Sequence, residues 1–84
     1  MDLDAKFAEA QVRVKTLTKR PSNDQLLELY SLYKQGSAGD VSGKRPGAFN
    51  PVNRAKYDAW AKLKGTGADA AKERYVALVD QLLG

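Results

Sequence analysis

Apolar residues recur at three- and four-residue intervals in successive segments of this chain, and proline or glycine punctuates the junctions. That spacing is helical, because residues three and four apart share one face. Leu3, Phe7, Ala10, Val14 and Leu17 form the first stripe, and Pro21 stops it. Ser22, with Gln25 three residues on, reads as a capping box that opens a second helix. This helix runs through Leu26, Leu27, Leu29, Tyr30, Leu32 and Tyr33. It is apolar over more than half its circumference, so it should touch neighbours on two sides, and Gly36 is its expected stop. Asn50-Pro51 starts a third helix, with proline at the first helical position. Its inner side should carry Val52, Ala55 or Lys56, Ala59, Trp60 and Leu63. Gly65-Thr66-Gly67 ends it, and Thr66 or Gly67 caps a last helix with Ala68, Ala71, Tyr75, Leu78, Val79 and Leu82 on one face. There is no strand alternation and no internal repeat. The expected class is all-α, four helices with two short links and one long one.

The long link spans Gly36 to Asn50, with four glycines, Pro46 and mixed charges. Connections of that length without a regular period are usually functional or mobile. The whole chain has 84 residues, which bounds it to a single domain over 1–84 with one modest core. It has no cysteine and no histidine, so thiolate chemistry, hydrolytic triads and most zinc sites are excluded. No catalytic residue and no metal ligand is expected. Asp2 and Asp4 open the chain without an apolar region behind them, unlike a secretory signal. No apolar run approaches the ~18 residues of a membrane span, so stable membrane insertion is not expected.

Two basic-aromatic blocks point to binding rather than bond-making. Tyr30-Ser31-Leu32-Tyr33-Lys34-Gln35 puts two phenols and an ammonium on a leucine-rich helix, and Ala55-Lys56-Tyr57-Asp58-Ala59-Trp60 repeats the theme. Tyr30 and Lys34 are four apart and share a face. Such a face can hold a phosphate and stack on a planar base. Equally, Tyr30 and Tyr33 can be core-edge residues with Lys34 snorkelling past them. Lys56 could face the same pocket if the second and third helices are neighbours, or it could be a plain surface lysine. Trp60 and Tyr75 read as core by spacing. Lys15 borders the first apolar stripe and could lean over a pocket rim or stay in solvent.

The net charge is +4, with Arg13, Lys15, Lys19 and Arg20 in one acid-free group and Lys44, Arg45, Arg54 and Lys56 in another. Grouped cations suggest an anion site or a solvated surface. They do not distinguish nucleic acid, membrane headgroup and small phosphate ligand. The glycines match neither the P-loop nor the dinucleotide pattern. A nucleic-acid module and a helical docking domain are therefore alternatives. Low net charge, with ten acids spread between the cations, weighs against nucleic acid.

The two blocks, together with Gly39-Asp40, Arg45-Pro46-Gly47 and Leu63-Lys64-Gly65, resemble the acyl-CoA-binding protein (diazepam-binding inhibitor) family. The match holds in order and spacing from about Phe7 to Leu82. The resemblance implies an up-down-down-up four-helix bundle of the acyl-CoA-binding type. It also implies a cytoplasmic, monomeric carrier of long-chain fatty acyl-CoA that is no enzyme and needs no cofactor. Its partners would be the ligand and acyl-CoA-using enzymes, not nucleic acid. Ligand contacts carry over to Lys15, Tyr30, Tyr33, Lys34, Lys56 and Tyr75. Tyr30, Lys34 and Lys56 would surround the adenosine 3′-phosphate, with Tyr33, Tyr75 and Lys15 near the adenine. Tyr57 stands where the family often has Trp, Gln11 replaces a usual small residue, and Asn50-Pro51 is an unusual start to the third helix.

Overall fold

The structure is a computed structural model describing residues 2–84. Its helices are α1 (Leu3–Arg13), α2 (Asn23–Ala38), α3 (Pro51–Ala61) and α4 (Ala68–Leu83), and a 3₁₀ turn (Val14–Thr16) follows α1. No strand occurs among the described residues. Asp2 caps α1 by accepting the Ala5 N–H at 2.8 Å. The capping box at α2 forms as the spacing predicts. Ser22 Oγ accepts from the Gln25 N–H at 3.1 Å, and Gln25 Oε1 accepts from the Ser22 N–H at 2.9 Å. Pro51 occupies the first helical turn of α3, also as expected. α1 stops short of Leu17. Beyond Arg13 the chain tightens, and Thr16 Oγ1 donates to the Arg13 carbonyl at 2.6 Å.

Named contacts give the topology. α1 and α4 run parallel. Lys72 near the start of α4 meets Asp4 near the start of α1, and Asp80 near the end of α4 meets Arg13, both at 2.7 Å. α2 and α3 also run parallel. Lys56 Nζ lies over the Tyr30 ring, and one turn further along both helices Lys34 Nζ lies over Trp60. α2 and α4 are antiparallel, because Gly36 late in α2 meets Lys72 early in α4. The order is thus up-down-down-up, with α2 packed between α3 and α4 and with α1 on α4. The core lies where α1, α2 and α4 meet, around Phe7, Leu29, Leu32, Tyr75, Leu78 and Val79. Trp60 is buried outside that cluster, against α2.

Three local expectations change. Gly36 does not stop α2. It is buried inside the helix, and a Cβ there would sit 3.0 Å from Lys72 Cγ and 3.3 Å from Phe7 Cζ. Its missing side chain lets the helices approach. The stop is Gly39, whose φ of 81° suits glycine and whose N–H donates to the Gln35 carbonyl. Val52 is not packed on the inner side of α3 but 65% exposed, because the first turn of α3 stands off from α2 across an open cleft that Val52 lines. Ala68, at the first position of α4, is likewise exposed, and the buried face begins at Ala71.

The long connection is fastened along its length. Trp60 Nε1 donates to the Gly39 carbonyl at 2.8 Å, and the Tyr57 hydroxyl donates to the Gly43 carbonyl at 3.1 Å. Arg45 makes a two-pronged pair with Asp58, both contacts at 2.7 Å. Asp40 Oδ1 accepts from Gln35 Nε2 and from the Gly65 N–H, each at 2.9 Å, and Gln35 Nε2 also donates to the Thr66 carbonyl at 2.7 Å. One carboxylate thereby ties the end of α2 to the turn before α4. The Gly65 N–H, then Gln35, hold Asp40 below the ordinary carboxylate value of 3.8.

A carboxylate with a lowered folded pKa stabilises above its unfolded value, and that contribution is lost as pH falls through the folded one. Asp40→Ala should therefore lower the urea midpoint at pH 7, and the gap to wild type should narrow as the pH drops below 3.8. A pH-independent gap would remove the charge from the explanation. Gly36→Leu should cost about 1–3 kcal/mol in the same titration through overpacking. An unchanged midpoint would contradict the close approach of α2 to α4.

Candidate ligand-binding site

Two clefts open beside one another along α2. The first, about 430 Å³, lies between α2, the 3₁₀ turn, the segment leading to Pro21, and Tyr75 of α4. The second, about 520 Å³, lies between the start of α2 and the start of α3. Arg20 and Leu26 line both. No acidic residue lines either one.

Aromatic rings and cations line the first cleft beside Val14, Leu17, Pro21, Leu26 and Leu29. Tyr30, Tyr33 and Tyr75 line it, and Lys15, Lys19 and Arg20 add charge. Phe7 orders two of the rings from below. It stacks on Tyr33 with centroids 6.1 Å apart and meets Tyr75 edge-on at 5.2 Å. Tyr33 remains 38% exposed, whereas Tyr75 is buried and reaches the cleft from the core. Burial, and secondarily Tyr33, raise the Tyr75 phenol above its ordinary value of 10.0. Lys56 Nζ sits 5.3 Å from the Tyr30 ring centre.

The second cleft is more aliphatic. Leu26 and Leu27 face Pro51, Val52 and Ala55, with Arg20 and Lys56 at its charged margin. One side of α2 thus offers a ring-and-cation surface that leads into an apolar slot.

Of the six residues singled out in the sequence, Lys15, Tyr30, Tyr33 and Tyr75 share the first cleft, and Lys56 borders the second beside Tyr30. Lys34 lines neither. Its ammonium lies 4.9 Å from the Trp60 ring centre, on the seam between α2 and α3. Lys19 and Arg20 were noted only as part of a basic group, yet both line the first cleft. The lack of any nearby acid in sequence was the available signal. Lys15, Lys19, Arg20, Lys34 and Lys56 take part in no ion pair among the described residues, whereas Arg13, Arg45 and Lys72 do. The cations near the clefts are thus available to an anion. No group of His, Cys, Asp or Glu able to hold a metal ion occurs among the described residues. None of the described helices is long and apolar enough to cross a membrane.

A family model described as acyl-CoA-binding protein matches residues 4–79. This chain belongs to the acyl-CoA-binding protein family. It is 54% identical over 76 residues to the acyl-CoA-binding protein of Dictyostelium discoideum, covering 90% of each chain. It is 48% identical over 77 residues to that of Saccharomyces cerevisiae, covering 92% of this chain and 88% of the relative. The crystal structure of Oryza sativa acyl-CoA-binding protein 2 superposes with a TM-score of 0.93 at 42% identity, over 96% of this chain and 88% of that one. The family, the all-α class and the bundle topology expected from the ordered motifs are thereby established.

The buried Tyr75 can be checked directly. In an alkaline absorbance titration of the four tyrosines, one should ionise last, and Tyr75→Phe should remove that step. Four rings that titrate together would contradict the desolvation of Tyr75.

Proposed function

We propose that this chain binds long-chain fatty acyl-CoA esters without covalent change, as a single monomeric domain. It would act as a cytoplasmic carrier and pool former that supplies acyl-CoA-using enzymes. The observation that carries the reading is a cleft in which three tyrosines and three cations stand beside leucine, opening next to a second, mainly aliphatic cleft. An amphipathic ligand with a charged, planar head and a long aliphatic tail fits that adjacency.

In this reading the adenosine 3′-phosphate lies among Tyr30, Lys34 and Lys56. Lys34 would leave the Trp60 face by rotation about its flexible side chain. Tyr33 and Tyr75 flank the adenine, and Lys15 leans over it from the 3₁₀ turn. Charge-assisted bonds to phosphate fix the orientation. The acyl chain enters the slot beside Leu26, Leu27 and Ala55. Removing roughly ten methylenes from water stabilises the complex by about 8 kcal/mol before ordering costs. Head and tail are thus held by different physics, and salt should weaken the first more than the second.

A binding role rather than a catalytic one agrees with the cleft chemistry. The chain has no histidine. The one cleft group with a displaced pKa, Tyr75, moves away from neutrality, the wrong direction for a general base at pH 7.

Calorimetric titration with palmitoyl-CoA, free CoA, palmitate and duplex DNA tests the reading. Palmitoyl-CoA should bind at least about a hundredfold tighter than either fragment, since each buried methylene adds to the affinity. Equal affinity for palmitoyl-CoA and CoA, or preference for DNA, would sink it. Lys34→Ala and Lys56→Ala should each weaken palmitoyl-CoA binding by at least about 1 kcal/mol, and Tyr30→Phe should cost less than Tyr30→Ala. Lysine variants with wild-type affinity would take those side chains out of the site.

A further inference from the structure

Acyl-CoA carries two anionic groups, the 3′-phosphate and the 5′-diphosphate. In the acyl-CoA reading Tyr30, Lys34 and Lys56 surround the first, and Lys15 leans over the adenine. The diphosphate joins the adenosine to the pantetheine arm, so it lies where the head of the ligand passes into the tail. An anion drawn out of water without a partner costs free energy. A cation therefore belongs at the crossing from the first cleft to the second.

Arg20 is the one cation that lines both clefts. Lys15 and Lys19 line the first alone, and Lys56 the second alone. Leu26, the other residue common to both, adds apolar surface at the same crossing. Arg20 is exposed and takes part in no ion pair among the described residues. Its Nη2 donates to Asn23 Oδ1 at 3.3 Å. That partner is neutral, so it aims the guanidinium without cancelling its charge, and the other N–H donors stay free. The backbone beneath is restrained as well. Pro21 limits the conformations open to Arg20, and the capping box fixes Ser22. The guanidinium thus stands at the crossing on a short, stiff link.

We propose that Arg20 binds the 5′-diphosphate of the ligand at the crossing between the two clefts, an inference that rests on the acyl-CoA reading. A guanidinium presents its N–H groups as a planar fork that matches two phosphate oxygens at once, which a lysine ammonium cannot do. The contact recognises the link between nucleotide and pantetheine, not the tail. Arg20 is therefore a specificity residue. It favours a CoA ester over the same acyl chain carried on pantetheine without the nucleotide.

Calorimetry with three ligands tests it: palmitoyl-CoA, its 3′-dephospho form, which keeps the diphosphate, and palmitoyl-pantetheine, which has no phosphate. Arg20→Gln should weaken palmitoyl-CoA at least about fivefold. The same factor should appear with the 3′-dephospho ester, and no loss with palmitoyl-pantetheine. Arg20→Lys should recover only part of the affinity, because the charge survives and the fork does not. Lys34→Ala should behave in the opposite way, losing its effect once the 3′-phosphate is gone. The urea midpoint of Arg20→Gln should match wild type, since the side chain is exposed. Wild-type affinity of Arg20→Gln for palmitoyl-CoA would overturn the proposal. So would a loss that vanishes with the 3′-dephospho ester, which would move Arg20 to the 3′-phosphate, or an equal loss with palmitoyl-pantetheine, which would make its role apolar or structural. Wild type that binds no palmitoyl-CoA would sink the carrier reading and this contact together, whereas wild type that binds it and an Arg20 variant that binds it equally would sink the contact alone.

Discussion

The parallel setting of α2 and α3 is the constraint on which the site depends. Helices that run the same way cannot be joined by a tight turn, because the chain must travel back the length of a helix. At ~1.5 Å per residue that is roughly 20 Å. The return leaves a long stretch of backbone without helical partners. Side chains from the neighbouring elements supply much of what it lacks. Trp60 and Tyr57 of α3 satisfy the Gly39 and Gly43 carbonyls, Arg45 reaches Asp58, and Asp40 joins Gln35 to Gly65. With the return path fastened, α2 and α3 keep a register in which Lys56 stands over Tyr30 and Lys34 over Trp60.

α2 serves two masters along its length. Leu29 and Leu32 face the core with α1 and α4, while Tyr30 and Tyr33 turn towards the clefts. Phe7 joins the two regions. Its ring lies beneath both Tyr33 and Tyr75 and against the gap left by Gly36, so the packing that holds α1 to the bundle also orders the rings of the cleft. A change in the core at Phe7 or Gly36 should therefore be felt in the cleft, because packed interiors transmit displacement rather than absorb it.

The family motifs divide in the same way. Tyr30, Tyr33 and Lys56 border the clefts. Gly39-Asp40, Arg45 and Gly65 do not. They form the turn, the shared carboxylate and the ion pair that hold the return path. Half of what made the chain recognisable is thus scaffold. The long link looked like a candidate for function or mobility by its composition alone. Its fastening was hidden, because Tyr57, Trp60 and Gly65, which bond Gly43, Gly39 and Asp40, lie 14, 21 and 25 residues away.

By itself the sequence determined the four helices, the capping box at Ser22, the proline start at Pro51 and the grouping of cations with rings. All of these depend on interactions within a turn or two of chain, and local spacing records them. Tertiary structure decided the rest. It made Gly36 a point of close approach instead of a stop, left Val52 in solvent, turned Lys34 onto Trp60, and drew Lys19 and Arg20 to the edge of the first cleft. Each of these depends on which helix lies opposite. That choice is made by burial summed over the whole bundle, which no short window of residues contains.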